Sequence, residues 1–107
     1  MVNLLTDLSE GKILTAHDRS LALGLMENIE ADQQVGGGET APTGAIVAMK
    51  DGWVPGPDNL WAVNSSSIVT VGKETYIISV YTQEQNSLED GQAITRYVCR
   101  TVASLLT

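Results

Sequence analysis

Gly44-Ala-Ile-Val-Ala-Met-Lys-Asp-Gly-Trp53 is the stretch on which the fold of this chain turns. Small and apolar residues run unbroken to Met49 and then stop at a lysine, an acid and a glycine. A short continuous apolar run bounded by turn residues suits a strand buried on both faces. Pro42 and Thr43 punctuate its start, and Pro55-Gly56-Pro57-Asp58 ends the segment after it. A cation emerging at the end of such a strand can sit beside a cleft. Gly52, with no Cβ, lets a ligand approach the backbone there. The same residues also read as a core strand with a solvated lysine at its tip.

Working outward, Leu4, Leu5 and Leu8 have helical spacing and Gly11 marks a break, which predicts a helix over residues 2–9. Thr15 as N-cap, with Asp18 near the positive end of the helix dipole, opens a second helix over 16–30. Its apolar stripe is Ala22, Leu25, Met26 and Ile29. Residues 31–43 read as a flexible Gly-rich connector. Gly36-Gly37-Gly38 lacks the closing Gly-Lys-Ser/Thr of a phosphate-cradling loop and the strand-then-helix context of a dinucleotide fingerprint. On the other side of the first strand, a proline-glycine loop covers residues 53–59. Second and third strands follow at Leu60–Val71 and Thr75–Thr82, joined by Gly72-Lys73-Glu74. Tyr76, Ile78 and Val80 face one way, and Ile77, Ser79 and Tyr81 the other, so both faces expect cover. Ser87 with Asp90 three residues on resembles a capping box and opens the last helix, to about residue 106. Ile94, Tyr97, Val98, Thr101, Val102 and Leu105 form its predicted core stripe. Neighbouring strands pair most cheaply, so the predicted fold is α+β: a three-stranded antiparallel meander (44–82) packed with an N-terminal helical hairpin (1–30) and a long C-terminal helix (87–106).

Composition narrows the function. A chain of 107 residues holds one domain at most, and 43% hydrophobic with 18% charged residues is ordinary for a folded chain. The net charge of −7, with no basic cluster, argues against nucleic acid and against anionic membrane surfaces as partners. No apolar run approaches the length of a membrane span. Met1-Val-Asn-Leu-Leu5 carries no cationic region of the kind that opens a signal peptide. The single Cys99 forms no internal disulfide, and one His with one Cys makes no zinc site without carboxylates or a second chain. No metal or cofactor is expected. Cys99 reads as a small packed thiol, and His17 as a surface histidine with no nucleophile in view. Trp53 and Trp61 read either as lining the mouth of the cleft or as packing residues, with packing the commoner role of tryptophan. The Asn64-Ser65-Ser66 sequon falls inside a predicted strand and receives no role.

The order of elements, with Lys50-Asp51-Gly52 ending the first strand, resembles the C-terminal part of the class A β-lactamases and related penicillin-binding serine hydrolases. The box of that family is Lys-Thr/Ser-Gly. Val47-Ala-Met-Lys-Asp-Gly-Trp-Val-Pro55 and Trp61-Ala-Val-Asn-Ser65 look like a branch in which the middle residue of the box has changed. The resemblance covers nearly the whole chain but only the last part of the family's domain, so the chain reads as a partial domain. It implies that Lys50 attracts a substrate carboxylate, that Gly52 gives the substrate room, and that the Trp53 backbone N–H is the second oxyanion-hole donor. It also implies that further strands continue the sheet beside Thr75–Thr82 and that a helical lobe covers one face. A second copy of the chain or the missing N-terminal portion is then the expected partner. By the same resemblance the parent is a bacterial secreted or cell-envelope hydrolase acting on a β-lactam or an acyl-peptide or ester substrate.

Acyl transfer of this kind needs a serine, a base and oxyanion donors. The family draws these from Ser-x-x-Lys, Ser-Asp-Asn and, for deacylation, a glutamate. No Ser-Asp-Asn occurs here. Ser9-Glu10-Gly11-Lys12 spells the first motif, but Gly11 marks a helix end where the nucleophile needs a helix start. The chain alone is therefore expected to be inactive. Asp51 departs from the box: a carboxylate has no proton to donate and repels an anion, by about 1 kcal/mol at ~4 Å in water and several times that in a drier site. The competing reading is a non-catalytic α+β module that binds a partner or self-assembles.

Overall fold

The Ile46–Met49 run does form a strand, but at the edge of the sheet. The computed structural model spans Met1–Thr107 and runs α1 (Val2–Ser9), α2 (Ala16–Glu27), a 3-10 turn (Ala31–Gln33), α3 (Gly37–Thr40), β1 (Ile46–Pro55), β2 (Trp61–Val71), β3 (Glu74–Gln85) and α4 (Leu88–Leu106). The strands form an antiparallel sheet in the order β1-β2-β3. The predicted meander and helix order are present. Burial of β1 on both faces is not: Ala48, Met49 and Asp51 are buried, whereas Ile46, Lys50, Gly52, Val54 and Pro55 are exposed. The central strand is β2, where Val63, Ser65, Ser67, Ile68 and Val69 are all buried. Its Asn64-Ser65-Ser66-Ser67 run masks that role, because a serine hydroxyl does not register as a core residue in a hydropathy pattern.

Strand ends lie further out than the turn residues suggested. β1 continues through Trp53 and Val54 to Pro55, opposite Val63, Ala62 and Trp61. Pro55 sits at the end of an edge strand, where a missing N–H is tolerated. The loop shrinks to a turn closed by Asn59 N donating to Gly56 O (3.1 Å), with Asn59 at φ 57°. β3 extends to Gln85 because a bulge absorbs one extra residue: Trp61 pairs with Gln85 and Val63 with Thr82, leaving Ala62 opposite Gln83 and Glu84. At the other end, Gly72 (φ 61°) makes the two-residue turn between β2 and β3.

Strand alternation divides the sheet into two faces. On one, Ala48, Ile68 and Ile77 pack with Leu5 and Leu8 of α1, Ile13, and Ala22, Leu23 and Met26 of α2. On the other, Ile78, Val80 and Tyr76 pack with Val98, Cys99 and Val102 of α4. The two caps read from the sequence are formed: Thr15 Oγ1 accepts from Asp18 N (3.1 Å) and Ser87 Oγ from Asp90 N (3.0 Å).

Both predicted helix stripes need correction. α2 stops at Glu27, where the Asn28 side chain donates back to Gly24 O (2.7 Å), so Ile29 lies beyond it and Leu25 is 67% exposed. On α4 the buried row is Gly91, Thr95, Cys99 and Ala103, while Tyr97 and Leu105 are 70% and 78% exposed. The fully buried row is set by volume. A Cβ on Gly91 would lie 2.4 Å from Val63 Cγ2, so the helix lies too close to β2 for a large side chain to intervene.

The glycine segment, expected to be a flexible connector, is packed. Val35, Gly36 and Gly37 are buried, and α3 lies against both β2 and α4. A Cβ on Gly37 would stand 1.8 Å from Ser67 Oγ, and one on Gly36 would stand 2.9 Å from Thr95 Cγ2. Ser65 Oγ donates to Val35 O (3.0 Å), and Glu39 pairs with Arg96 of α4 (2.6 Å). Gly37→Ala and Gly91→Ala are each expected to lower unfolding stability by about 2–3 kcal/mol, as overpacking does. Gly24→Ala, with open space at its Cβ on a helix, should be neutral or stabilising in the same denaturant titration.

Candidate functional site

The end of β1 carries the residues singled out from the sequence, and the pleat separates them. Lys50 and Gly52 point to the face that α1 and α2 cover only around Ala48 and Ile68; Asp51 and Trp53 belong to the α4 face. Register then builds a polar platform on the open half of the first face. Lys50 stands beside Ser66 and Ser79, and Gly52 beside Asn64 and Tyr81. The Ser66 and Ser79 hydroxyls are 2.6 Å apart and hydrogen-bonded. Ala62, Asn64, Tyr81, Thr82 and Gln83 surround a cavity of about 570 Å³. Ser66, Ser79, Asn64 and Tyr81 were not singled out from the sequence. The signal was available in the alternation of β2, once Asn64 and Ser66 are placed on the side opposite Ser65 and Ser67.

The main chain of Trp53 faces the free edge. Opposite it on β2, Val63 N donates to Thr82 Oγ1 (3.2 Å) and Val63 O accepts from the same hydroxyl (2.8 Å), so both Val63 groups point at β3. Trp53 is therefore in a non-hydrogen-bonded pair with Val63 and turns its own N–H and C=O away from β2. Asp51, two residues back, repeats that direction, and its carbonyl is free to accept from Lys50 Nζ. Lys50, the Asp51 carbonyl and the Trp53 N–H thus share one rim of β1.

Asp51 does not share that rim with its side chain. Read from the sequence, its carboxylate meets a substrate anion; in the structure the residue is 3% exposed, and neither carboxylate oxygen has a hydrogen-bond partner. It lies under the glycine segment, beside Ser65, whose proton is committed to Val35 O. Burial pushes its pKa up to about 6, with the Glu39 charge adding to the rise; Ser65, the Val35 amide and Lys50 offset only part of it. Ser67 Oγ is likewise buried without a partner. Cys99, under the same segment, is pushed up to about 11 by burial and by the Asp51 charge, as a packed thiol should be.

The remaining candidates stay apart. Ser9 lies in the last turn of α1, its carbonyl accepting from the Arg19 guanidinium, and Lys12 pairs with Glu10 (2.8 Å) in solvent. His17 is exposed on α2. No group of three His, Cys, Asp or Glu side chains is close enough to hold a metal ion, and no helix is long and apolar enough to cross a membrane.

A three-stranded sheet covered by α1 and α2 on one face and by α4 on the other is an α+β unit of the kind found in beta-lactamase structures. The model of the beta-lactamase enzyme family matches residues 1–106, and the chain belongs to that family. Among solved structures it is similar to the TLA-3 extended-spectrum beta-lactamase, at 23% identity and TM-score 0.84 over 98% of this chain and 39% of that one. The chromosome-encoded beta-lactamase of Vibrio parahaemolyticus matches at 18% identity and TM-score 0.82, over 99% of this chain and 39% of that one. PBP-A matches at 19% identity and TM-score 0.80, over 98% and 37%. The chain thus spans about two-fifths of the length of these structures, and at such identities the likeness establishes the fold. No curated protein matches the chain.

The buried carboxylate has a signed consequence. A folded pKa of about 6 against 3.8 for the free group means stability that is fully present below pH 3.8 and is lost as pH rises from there through 6. Asp51→Asn should therefore gain on the wild type by about 2–3 kcal/mol between pH 4 and pH 7.5 in urea titrations. A gap that stays constant with pH would mean that the carboxylate has found a partner.

Proposed function

We propose that this chain is the substrate-binding wall of a β-lactamase-like serine hydrolase. The nucleophilic serine and its base come from outside these 107 residues. The observation that carries the reading is the rim of β1: a lysine, a glycine and an outward main-chain N–H at Lys50, Gly52 and Trp53, on an edge strand with nothing paired beyond it. In this reading Lys50 attracts the carboxylate of a β-lactam or acyl-peptide substrate. Gly52 leaves room for the acyl donor against the strand. Trp53 N–H donates to the oxyanion that develops at the attacked carbonyl, a contact already oriented before reaction. A main-chain donor needs no particular side chain, so tryptophan at this position is compatible with the role.

Asp51 enters differently from a box threonine. Its carboxylate is held behind the strand, so its repulsion of a substrate anion acts through the sheet and is weaker than contact would make it. Lys50 is then left as the only side-chain charge on the rim.

A second reading, a non-catalytic module that docks a partner or another copy, draws on different features. Leu14, Leu21 and Leu25 are exposed together around α2, and the outer edges of β1 and β3 are unpaired.

The test begins with the chain alone, which is expected to give no hydrolysis of a chromogenic β-lactam above background. The reading frame upstream of Met1 should encode Ser-x-x-Lys followed by Ser-Asp-Asn. In the longer protein Lys50→Ala should lower kcat/KM for a carboxylate-bearing β-lactam by roughly 100-fold, the order seen when one electrostatic contact to a transition state is removed. Turnover by the isolated chain would overturn the claim that the chemistry lies elsewhere. An upstream frame without these motifs favours the second reading, which then requires concentration-dependent association in sedimentation velocity.

A further inference from the structure

We propose that the segment Val35–Thr40 is a clasp over the inner face of β1 that opens locally when Asp51 ionises. Asp51 lies beneath it with both carboxylate oxygens unpartnered, and Ser67 Oγ, under Gly37, is unpartnered too. Unsatisfied buried polar atoms are rare, and a charged one is strongly disfavoured, so opening the cover is the nearest route to water. The cover is small and separable. It is held by Ser65 Oγ donating to Val35 O (3.0 Å), by the Glu39–Arg96 pair (2.6 Å), and by contacts of Gly36 and Gly37 with Ser67, Thr95 and Cys99. Its own helical turn is a mere four residues, tied by Glu39 N to Gln34 O (3.1 Å) and Thr40 N to Gly36 O (3.0 Å). The sheet beneath has far more to lose and stays closed.

Burial drives the release, and the groups facing Asp51 from each packed element, the Ser65 hydroxyl and the Val35 amide included, offset it only in part. From α3, Glu39 repels it. From α4, Arg96 attracts it at a distance, but the guanidinium is engaged by Glu39; Cys99 is neutral. From β1, Lys50 also attracts it, but projects from the opposite face. β2 contributes no charged residue. A protonated Asp51 lacks the charge that demands water and leaves the clasp shut. The ionised form gains solvent once the clasp lifts. Because Asp51 is the neighbour of both Lys50 and Gly52 on the strand, lifting uncovers the inner face directly behind the proposed rim. The clasp stands on the packing around Asp51 and does not require the acyl-transfer reading to be correct.

The experiment is amide hydrogen exchange on the full chain at pH 4 and pH 8, corrected for the intrinsic rate at each pH, with Asp51→Asn in parallel. In the wild type, protection of the Glu39 and Thr40 amides should fall by about 10- to 100-fold between the two pH values, the upper bound being the tenfold-per-unit equivalent of the two-unit shift at Asp51. The clasp amides should stay less protected than the β2 amides at both pH values, because they exchange through the local opening, and Asp51→Asn should hold them near their pH 4 protection throughout. Labelling of Cys99, the only thiol and one that lies under Gly36, provides a second readout. Its wild-type to Asp51→Asn rate ratio should rise from near one at pH 4 to tenfold or more at pH 8. The proposal is overturned if the clasp amides are as well protected as the β2 amides at pH 8, so that both exchange only by global unfolding, or if Asp51→Asn shows the same pH response as the wild type.

Discussion

Close approach to the α4 face of β2 is the constraint on which this structure depends. Gly91 admits α4 to within van der Waals distance of Val63, and Gly36 and Gly37 bring the segment before β1 down onto Ser65 and Ser67. A side chain at any of these positions would hold the layers apart. Because they are absent, a three-stranded sheet with few large apolar residues at its centre still packs densely. The same closeness takes Asp51 out of water, and its perturbed titration follows from that packing.

That constraint also explains how the rim of β1 is organised. Adjacent residues of a strand point to opposite faces, so Lys50 and Asp51 cannot serve one pocket with their side chains however close they are in sequence. What they share is the edge: the Asp51 carbonyl and the Trp53 N–H project outward together because Val63 gives its own main-chain groups to Thr82. The bulge at Gln83 and Glu84 lies beside this pairing and carries β3 past it to Gln85. A potential binding edge on β1 thus depends on a hydroxyl two strands away.

Legibility in the sequence followed the kind of force involved. Thr15 and Ser87 were readable as caps because a cap is a local hydrogen bond between a side chain and an amide three residues on. The strand order was readable because neighbouring segments joined by short turns pair first. Leu25, Tyr97 and Leu105 were misread as core because periodicity reports hydrophobicity and is blind to volume; the row that α4 buries deepest is its smallest. Ser65 and Ser67 escaped notice for the converse reason, being polar residues buried by packing from elements distant in sequence.

By itself, then, the sequence determined the α+β class, the order of the elements, the helix caps and the family to which the chain belongs, since these rest on the pattern along the chain. Tertiary structure alone decided that β1 is an edge, that the glycine segment is a cover and not a linker, and that Asp51 faces inward while Lys50 faces out. Those outcomes depend on which surfaces meet across the sheet. No local pattern encodes a distance such as the one that leaves no room for a Cβ between Gly37 and Ser67.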